Sequence, residues 1–236
     1  MKIAILTIAT NKYKDFLYPL ISSIEKYFVV DTKKDYYVFS DEYVNWFSAF
    51  NVNYTHINHE PWPYITLKRF DYISKIVDRL KDYDYVIYFD SDMEFVLSLP
   101  EFNIGDKKYI AVCHPSSFRE SGFWPVETNY GSTACVSSPQ NCLYVQGCLW
   151  GATGSHIVDM VHTLKNNIHI DLSNGVIAIW HDESHLNKFF IDKAKDVAVL
   201  HAGFAYPENW TMNLTKYIIH KDKNMIEYPR FSGSGK

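Results

Sequence analysis

Basic residues are in short supply. The 236 residues hold 23 Lys and Arg against 27 Asp and Glu, for a formal charge of −4. A chain built to bind the backbone of nucleic acid needs a cationic excess to neutralise phosphates, so nucleic acid is not expected as a partner. Cysteine is scarce as well. Cys113, Cys135, Cys142 and Cys148 form no Cys-x-x-Cys pair, which argues against a zinc site and for reduced thiols. The N-terminal apolar run from Met1 to Ala9 is too short for a membrane span and lacks a cleavage site, so it reads as a first buried strand. The expectation is a soluble, cytoplasmic protein without a transmembrane segment. Internal repeats, low-complexity linkers and domain boundaries are missing too. The length suits one large domain or two small ones; without a boundary, a single domain over residues 1–231 is expected, with 232–236 as a flexible tail.

Apolar side chains are plentiful at 47%, and 18 Tyr, 15 Phe and 6 Trp supply faces that suit both core filling and stacking against sugars. Strand-like and helix-period segments alternate through the first half, the signature of an α/β fold on a largely parallel sheet. Strands are expected at Lys2 to Ala9, Tyr36 to Ser40, Val52 to Ile57, Tyr85 to Phe89 and Tyr109 to Cys113. Helices are expected near Asp15 to Phe28 and Thr66 to Leu80. The second carries an apolar face of Leu67, Phe70, Ile73, Ile76, Val77 and Leu80, with Lys68, Arg69 and Asp71 off it. The irregular stretch from His114 to Asn141 is long enough to be functional.

The strand from Tyr85 to Phe89 ends abruptly in Asp90-Ser91-Asp92. In an extended segment residues i and i+2 point the same way, so both carboxylates can face one cation at the carboxyl edge of the sheet, where ligands of open α/β folds bind. Two hard oxygen ligands suit magnesium or manganese completed by phosphates and water. An Asp-rich turn without a metal fits the same residues. A second polar cluster, Trp180 to Lys188, follows the apolar run Val176 to Ile179, read as a strand, and opens a short helix. His181 and His185 are four apart, but Asp182 stands where a zinc protease needs Glu after the first His. A plain polar helix start, with Asp182 and Glu183 favoured by the helix dipole, competes with a catalytic reading. Gly147, Gly151 and Gly154 miss the dinucleotide fingerprint, leaving room for a ligand or tight backbone packing as alternatives.

Taken together, Lys12-Tyr13, Tyr36 to Asp41, Trp62 to Ser74, Asp84 to Phe95, His114-Pro115 and Trp180 to Lys188 resemble glycosyltransferase family 6 in content and order. That family includes the histo-blood group A and B transferases, the α-1,3-galactosyltransferases, and shorter bacterial and phage members. The resemblance runs from about Ile3 to Tyr206. It implies a GT-A fold that moves N-acetylgalactosamine or galactose from a UDP-sugar, with retention, to the 3-hydroxyl of a β-galactoside. By motif position, Asp90 and Asp92 would hold Mn2+ or Mg2+ and UDP, Arg69 would contact the donor, and Ile8, Ala9 and Tyr13 would line the uridine pocket. Glu183 would be the catalytic carboxylate, Asp182 a donor-sugar ligand, His114 and Trp180 acceptor contacts, and Val145 and Gly147 would face the sugar's 2-substituent. The resemblance implies a soluble catalytic core, without the Golgi anchor and stem of the vertebrate enzymes. The chain departs from the family at Gln146-Gly147-Cys148-Leu149-Trp150-Gly151, where a Gly-Gly-Phe-Phe-Gly-Gly segment is common, at Ser116-Ser117, and near Thr128 and Asn129.

Overall fold

The computed structural model describes residues 1–118, 126–138 and 143–222. Its central sheet has seven strands in the order β3-β2-β1-β4-β7-β6-β8. In chain order these are β1 (Ile3–Ile8), β2 (Lys34–Ser40), β3 (Val52–His56), β4 (Tyr85–Phe89), β6 (Tyr109–Cys113), β7 (Val145–Ala152) and β8 (Val197–Leu200). Neighbouring pairs are parallel except those made by β7, which runs against both β4 and β6. A smaller sheet joins β5 (Met93–Phe95), β9 (Tyr206–Pro207) and β10 (Ile218–His220). This is the α/β architecture expected from the alternation of segments.

Side-chain alternation along the strands builds two cores, one on each face. Ala4, Leu6, Tyr37, Phe39, Val86 and Tyr88 point to one face. There they meet α3 (Arg69–Ser74), α4 (Gly154–Ser173) and α5 (Asp182–Asp192) through Phe70, Ile157, Met160, Leu164, Leu186 and Phe190. Ile3, Ile5, Tyr36, Val38, Ile87 and Phe89 point to the other face, covered by Leu17, Leu20, Ile21 and Ile24 of α1 (Leu17–Tyr27). No helix among the described residues is long and apolar enough to cross a membrane. Among the described residues, Cys113, Cys135 and Cys148 form no disulfide with one another; Cys142 and the expected tail at 232–236 lie outside the described residues.

Three local expectations need correction. The helix expected over Thr66 to Leu80 is broken into α2 (Tyr64–Leu67), α3 and a 3-10 turn at Val77–Arg79, with Lys68 (ψ 3°) and Ile76 (ψ 0°) off helical geometry. The break at Lys68 turns the next residue inward, so Arg69 is 5% exposed rather than off the buried face. The run Val176 to Ile179 is not a strand. It follows a Schellman ending of α4, in which Gly175 adopts φ +70°, its N–H donates to Leu172 O and that of Val176 donates to Asp171 O. The chain then passes directly into α5, leaving Ile177 and Ile179 exposed. Finally, Asp90 to Met93 is a turn closed by Met93 N–H to Asp90 O, not a continuous extended segment.

Candidate active site

The sheet order places the site. From β1 the chain moves outward through β2 to β3, and the next strand, β4, lies on the opposite side of β1, which makes the carboxyl ends of β1 and β4 the switch point where α/β sheets bind ligands. Ile8 ends β1 there, Ala9 is buried with its N–H on Phe39 O, and Tyr13 sits in the 3-10 turn that follows. Asp90 ends β4. Because β7 runs the other way, its first residues reach the same edge, and the Asp90 N–H donates to Cys148 O at 2.8 Å.

Arg69 ties the edge together. One guanidinium nitrogen donates to Gly147 O at 2.8 Å and lies 3.1 Å from Asp182 Oδ2, while the other lies 3.2 Å from Asp90 Oδ1. Its carbon stands 4.3 Å from the centre of the Tyr88 ring, which in turn stacks on Trp150 at 5.0 Å. Burial opposes its charge, but the Asp182 and Asp90 carboxylates more than offset that and raise its pKa. Tyr88 OH donates to Asp90 Oδ1 at 3.1 Å, fixing that carboxylate from a second side.

Glu183 is held by two donors. Tyr144 OH reaches Oε1 at 2.8 Å and the Gly147 N–H reaches Oε2 at 2.8 Å. Burial pushes its carboxyl up to about 7, and these two hydrogen bonds oppose part of that rise. Its place at the start of α5 follows from His181, which has φ 54° and ψ −126°, a costly conformation for a residue with a Cβ. The His181 ring lies 4.5 Å from that of Trp62, and Trp180 N–H donates to Ser184 Oγ. Asn187 clamps α5 to β7 by donating to Val145 O and accepting from Val145 N–H. His181 therefore precedes the helix and does not share a face with His185, which is buried 3.5 Å from Asp171. The two histidines do not form a metal pair.

The remaining expected residues are spread around this centre. Val145 is buried in the core, and a Cβ at Gly147 would lie 3.4 Å from Glu183 Cβ and 3.5 Å from its Oε2. By contrast, a Cβ at Gly151 or Gly154 would run into backbone oxygens at 2.3 and 2.2 Å, so those two glycines serve close packing. His114 directly follows β6, accepts from Ser116 N–H on Nδ1, and its ring lies 5.2 Å from that of Tyr144. Trp180 is exposed beside the strained His181.

Two contributors carry no sequence signal. Tyr144 looks like one more core aromatic until α5 brings Glu183 to its hydroxyl. His220, far along the chain, arrives because β10 pairs antiparallel with β5, setting His220 opposite Met93. One ligand atom each from Asp90, Asp92 and His220 lie within 4.8 Å of one another. Two carboxylates, one of them almost fully buried, beside an imidazole form a donor set that fits a divalent cation.

Paired acids at the switch point of a mixed sheet, facing a second acidic pair across a buried arginine, are the framework of a GT-A glycosyltransferase. Comparison with known proteins agrees. Residues 1–224 match the profile described as Glycosyltransferase family 6. The chain is 30% identical over 225 residues to the O-antigen biosynthesis glycosyltransferase WbnI of Escherichia coli, covering 94% of this chain and 95% of that one. It is 26% identical over 206 residues to Globoside alpha-1,3-N-acetylgalactosaminyltransferase 1 of Homo sapiens, and 26% identical over 201 residues to Histo-blood group ABO system transferase 2 of Rattus norvegicus. Those alignments cover 81% and 80% of this chain but only 57% and 59% of the relatives' own lengths. The chain belongs to glycosyltransferase family 6 and has its GT-A fold.

Proposed function

We propose that this chain is one catalytic unit that transfers N-acetylgalactosamine, or galactose, from a UDP-sugar in α-1,3 linkage to a β-galactoside, with retention at the anomeric carbon. The observation that carries the reading is Glu183: a buried carboxylate gripped by Tyr144 and the Gly147 N–H, a short distance along the same edge from the Arg69–Asp90–Asp182 network. The names of the relatives, two of which specify or imply sugar transfer to glycans, support the substrate class.

In this reading Ile8, Ala9 and Tyr13 form the uridine pocket beyond β1. Arg69 and Asp182 orient the donor. Asp90 and Asp92 would hold Mn2+ or Mg2+, which when bound neutralises charge on the departing diphosphate. As the bond from C1 of the sugar to phosphate breaks, positive charge grows at C1, and the fixed Glu183 carboxylate stabilises it without having to reorganise. A retained configuration needs such a group, since direct displacement by the acceptor hydroxyl from the opposite side would invert C1. His114 and Trp180 would position the acceptor, with the tryptophan face suited to stacking on galactose.

The test is a turnover screen of UDP-N-acetylgalactosamine and UDP-galactose with β-galactosides, the product anomer being read by proton NMR. An α-linked product is expected. A β-linked product overturns the retaining assignment, and tight UDP-sugar binding without transfer or hydrolysis would make the protein a binding module.

A further inference from the structure

We infer that His220 is a third protein ligand of the cation assigned above to Asp90 and Asp92, so that the site is two carboxylates and one imidazole. This rests on the cation reading and adds to it a residue, a donor type and a metal preference. Three backbone links fix the histidine where it is. β10 pairs with β5 immediately after the Asp90–Asp92 turn, the Lys221 N–H donates to Asp92 O at 2.8 Å, and the Glu208 N–H donates to His220 O at 3.0 Å. The His220 Nε2 atom consequently lies 3.3 Å from Asp92 Oδ1, with its side chain 14% exposed.

The second observation is Gln146. Its amide lies on the far side of the ring, with Nε2 3.3 Å from His220 Nδ1, and its Oε1 is buried with no hydrogen-bond partner among the described residues. A metal-bound imidazole gives its Nε2 lone pair to the cation and carries its proton on Nδ1, where it needs an acceptor. Turning the Gln146 amide over supplies one, because Oε1 then accepts from Nδ1–H, and amide orientation follows the network it sits in. Gln146 and His220 thus form one unit, a ligand and the side chain that orients it.

Adding nitrogen to an all-oxygen set shifts preference from Mg2+ toward Mn2+ and other transition ions. The test is Mn2+ binding in the presence of UDP, followed by electron paramagnetic resonance of free Mn2+, for wild type, His220→Ala, Gln146→Gly and Asp92→Asn. His220→Ala should weaken Mn2+ by more than about tenfold and narrow the margin over Mg2+, while Gln146→Gly should weaken it by about tenfold, the scale of losing a ligand's orienting partner. In wild type, electron spin echo modulation should show imidazole nitrogen coupled to Mn2+, altered when histidine alone is labelled with 15N. That measurement needs no variant and stands even where His220→Ala fails to fold. Absence of imidazole coupling, or wild-type Mn2+ affinity in folded His220→Ala, overturns the inference. If Asp92→Asn still loses Mn2+ in that case, the two-carboxylate site survives without the histidine. If Asp92→Asn also binds normally, the cation site itself is wrong.

Discussion

The Tyr144 hydroxyl donates to Glu183 Oε1 at 2.8 Å, and the tyrosine is itself buried, so the bond that steadies the carboxylate also sets how readily it ionises. Burial, then the neighbouring Glu183 charge, raises the phenol's own pKa, so it stays a donor across the working range. A hydrogen bond to a charged group contributes about 1.5–3 kcal/mol, and one pKa unit is about 1.4 kcal/mol. Tyr144→Phe should therefore move the Glu183 carboxyl from about 7 upward by on the order of one unit. The measurement is kcat/KM against pH. Its rising limb should shift to higher pH in the variant, and an unmoved limb with reduced amplitude would mean that Tyr144 only packs.

Replacing Glu183 itself separates chemistry from stability. Its folded pKa of about 7 lies above the ordinary 4.5, so the folded state holds a proton that the unfolded chain releases. Stability from this group is complete below about pH 4.5, falls as pH rises toward 7 and is level beyond, a loss on the order of 1–3 kcal/mol. Glu183→Gln removes the titration. Against wild type without ligand, the variant should melt at a similar temperature at pH 4.5 and at a higher one at pH 8. Its amide can still accept from Gly147 N–H, so UDP should bind almost normally while transfer falls by about 10²–10³-fold. Turnover within about tenfold of wild type would assign Glu183 to structure alone.

How far the sequence foretold this arrangement can be seen residue by residue. The strands to Ile8 and Phe89 were legible because alternating apolar side chains reflect burial on both sheet faces, and Asp90 was legible because it ends such a run. Arg69 was legible only as a motif position. Helical periodicity put it outside the core, since periodicity cannot see a break at Lys68. The strand expected at Val176 to Ile179 failed for a related reason: apolar content does not record that Gly175 ends α4 and leaves a short link. Tyr144 and His220 were out of reach, because their roles arise from non-local pairing of β7 with α5 and of β5 with β10. A lone histidine has no spacing that ties it to distant aspartates.

Arg69 predicts a stability phenotype as well as a functional one. It is buried and shared among Asp182, Asp90 and Gly147 O, so Arg69→Ala leaves two carboxylates without their cation, a loss of about 3–5 kcal/mol for a buried pair. Arg69→Lys keeps the charge but cannot reach three acceptors in the plane of a fork. Lysine should restore most of the melting temperature and little of the donor affinity. Equal donor affinity in Arg69→Lys and wild type would remove Arg69 from the donor site.

Removal of the cation should stop transfer without unfolding the chain, because Asp90 and Asp92 belong to neither of the two apolar cores. Chelation with EDTA should abolish turnover and Mn2+ should restore it, with the circular dichroism spectrum unchanged throughout. Asp92→Asn, which preserves shape while removing a hard ligand charge, should give the same result without a chelator. Full activity of the chelated enzyme or of Asp92→Asn contradicts the metal assignment.

The proposed donor preference can be tested at Gly147. A methyl group there would meet Glu183 Cβ at 3.4 Å and Oε2 at 3.5 Å, ordinary contact distances, so Gly147→Ala should fold and keep Glu183 in place. The methyl would nevertheless occupy space beside the Glu183 carboxylate, where in the proposed reading an acetamido group on the donor sugar would have to fit. With glycine in place, UDP-N-acetylgalactosamine should be used more efficiently than UDP-galactose. In Gly147→Ala the clash should cost the larger donor about 1–3 kcal/mol, a change of roughly 5–150-fold in relative kcat/KM toward galactose. Both donors should be compared in one competition assay, so that a general loss of activity cancels. Wild-type preference for galactose, or an unaltered ratio in the alanine variant, places the 2-substituent elsewhere and leaves Gly147 its backbone contacts, the N–H donated to Glu183 and the carbonyl accepting from Arg69.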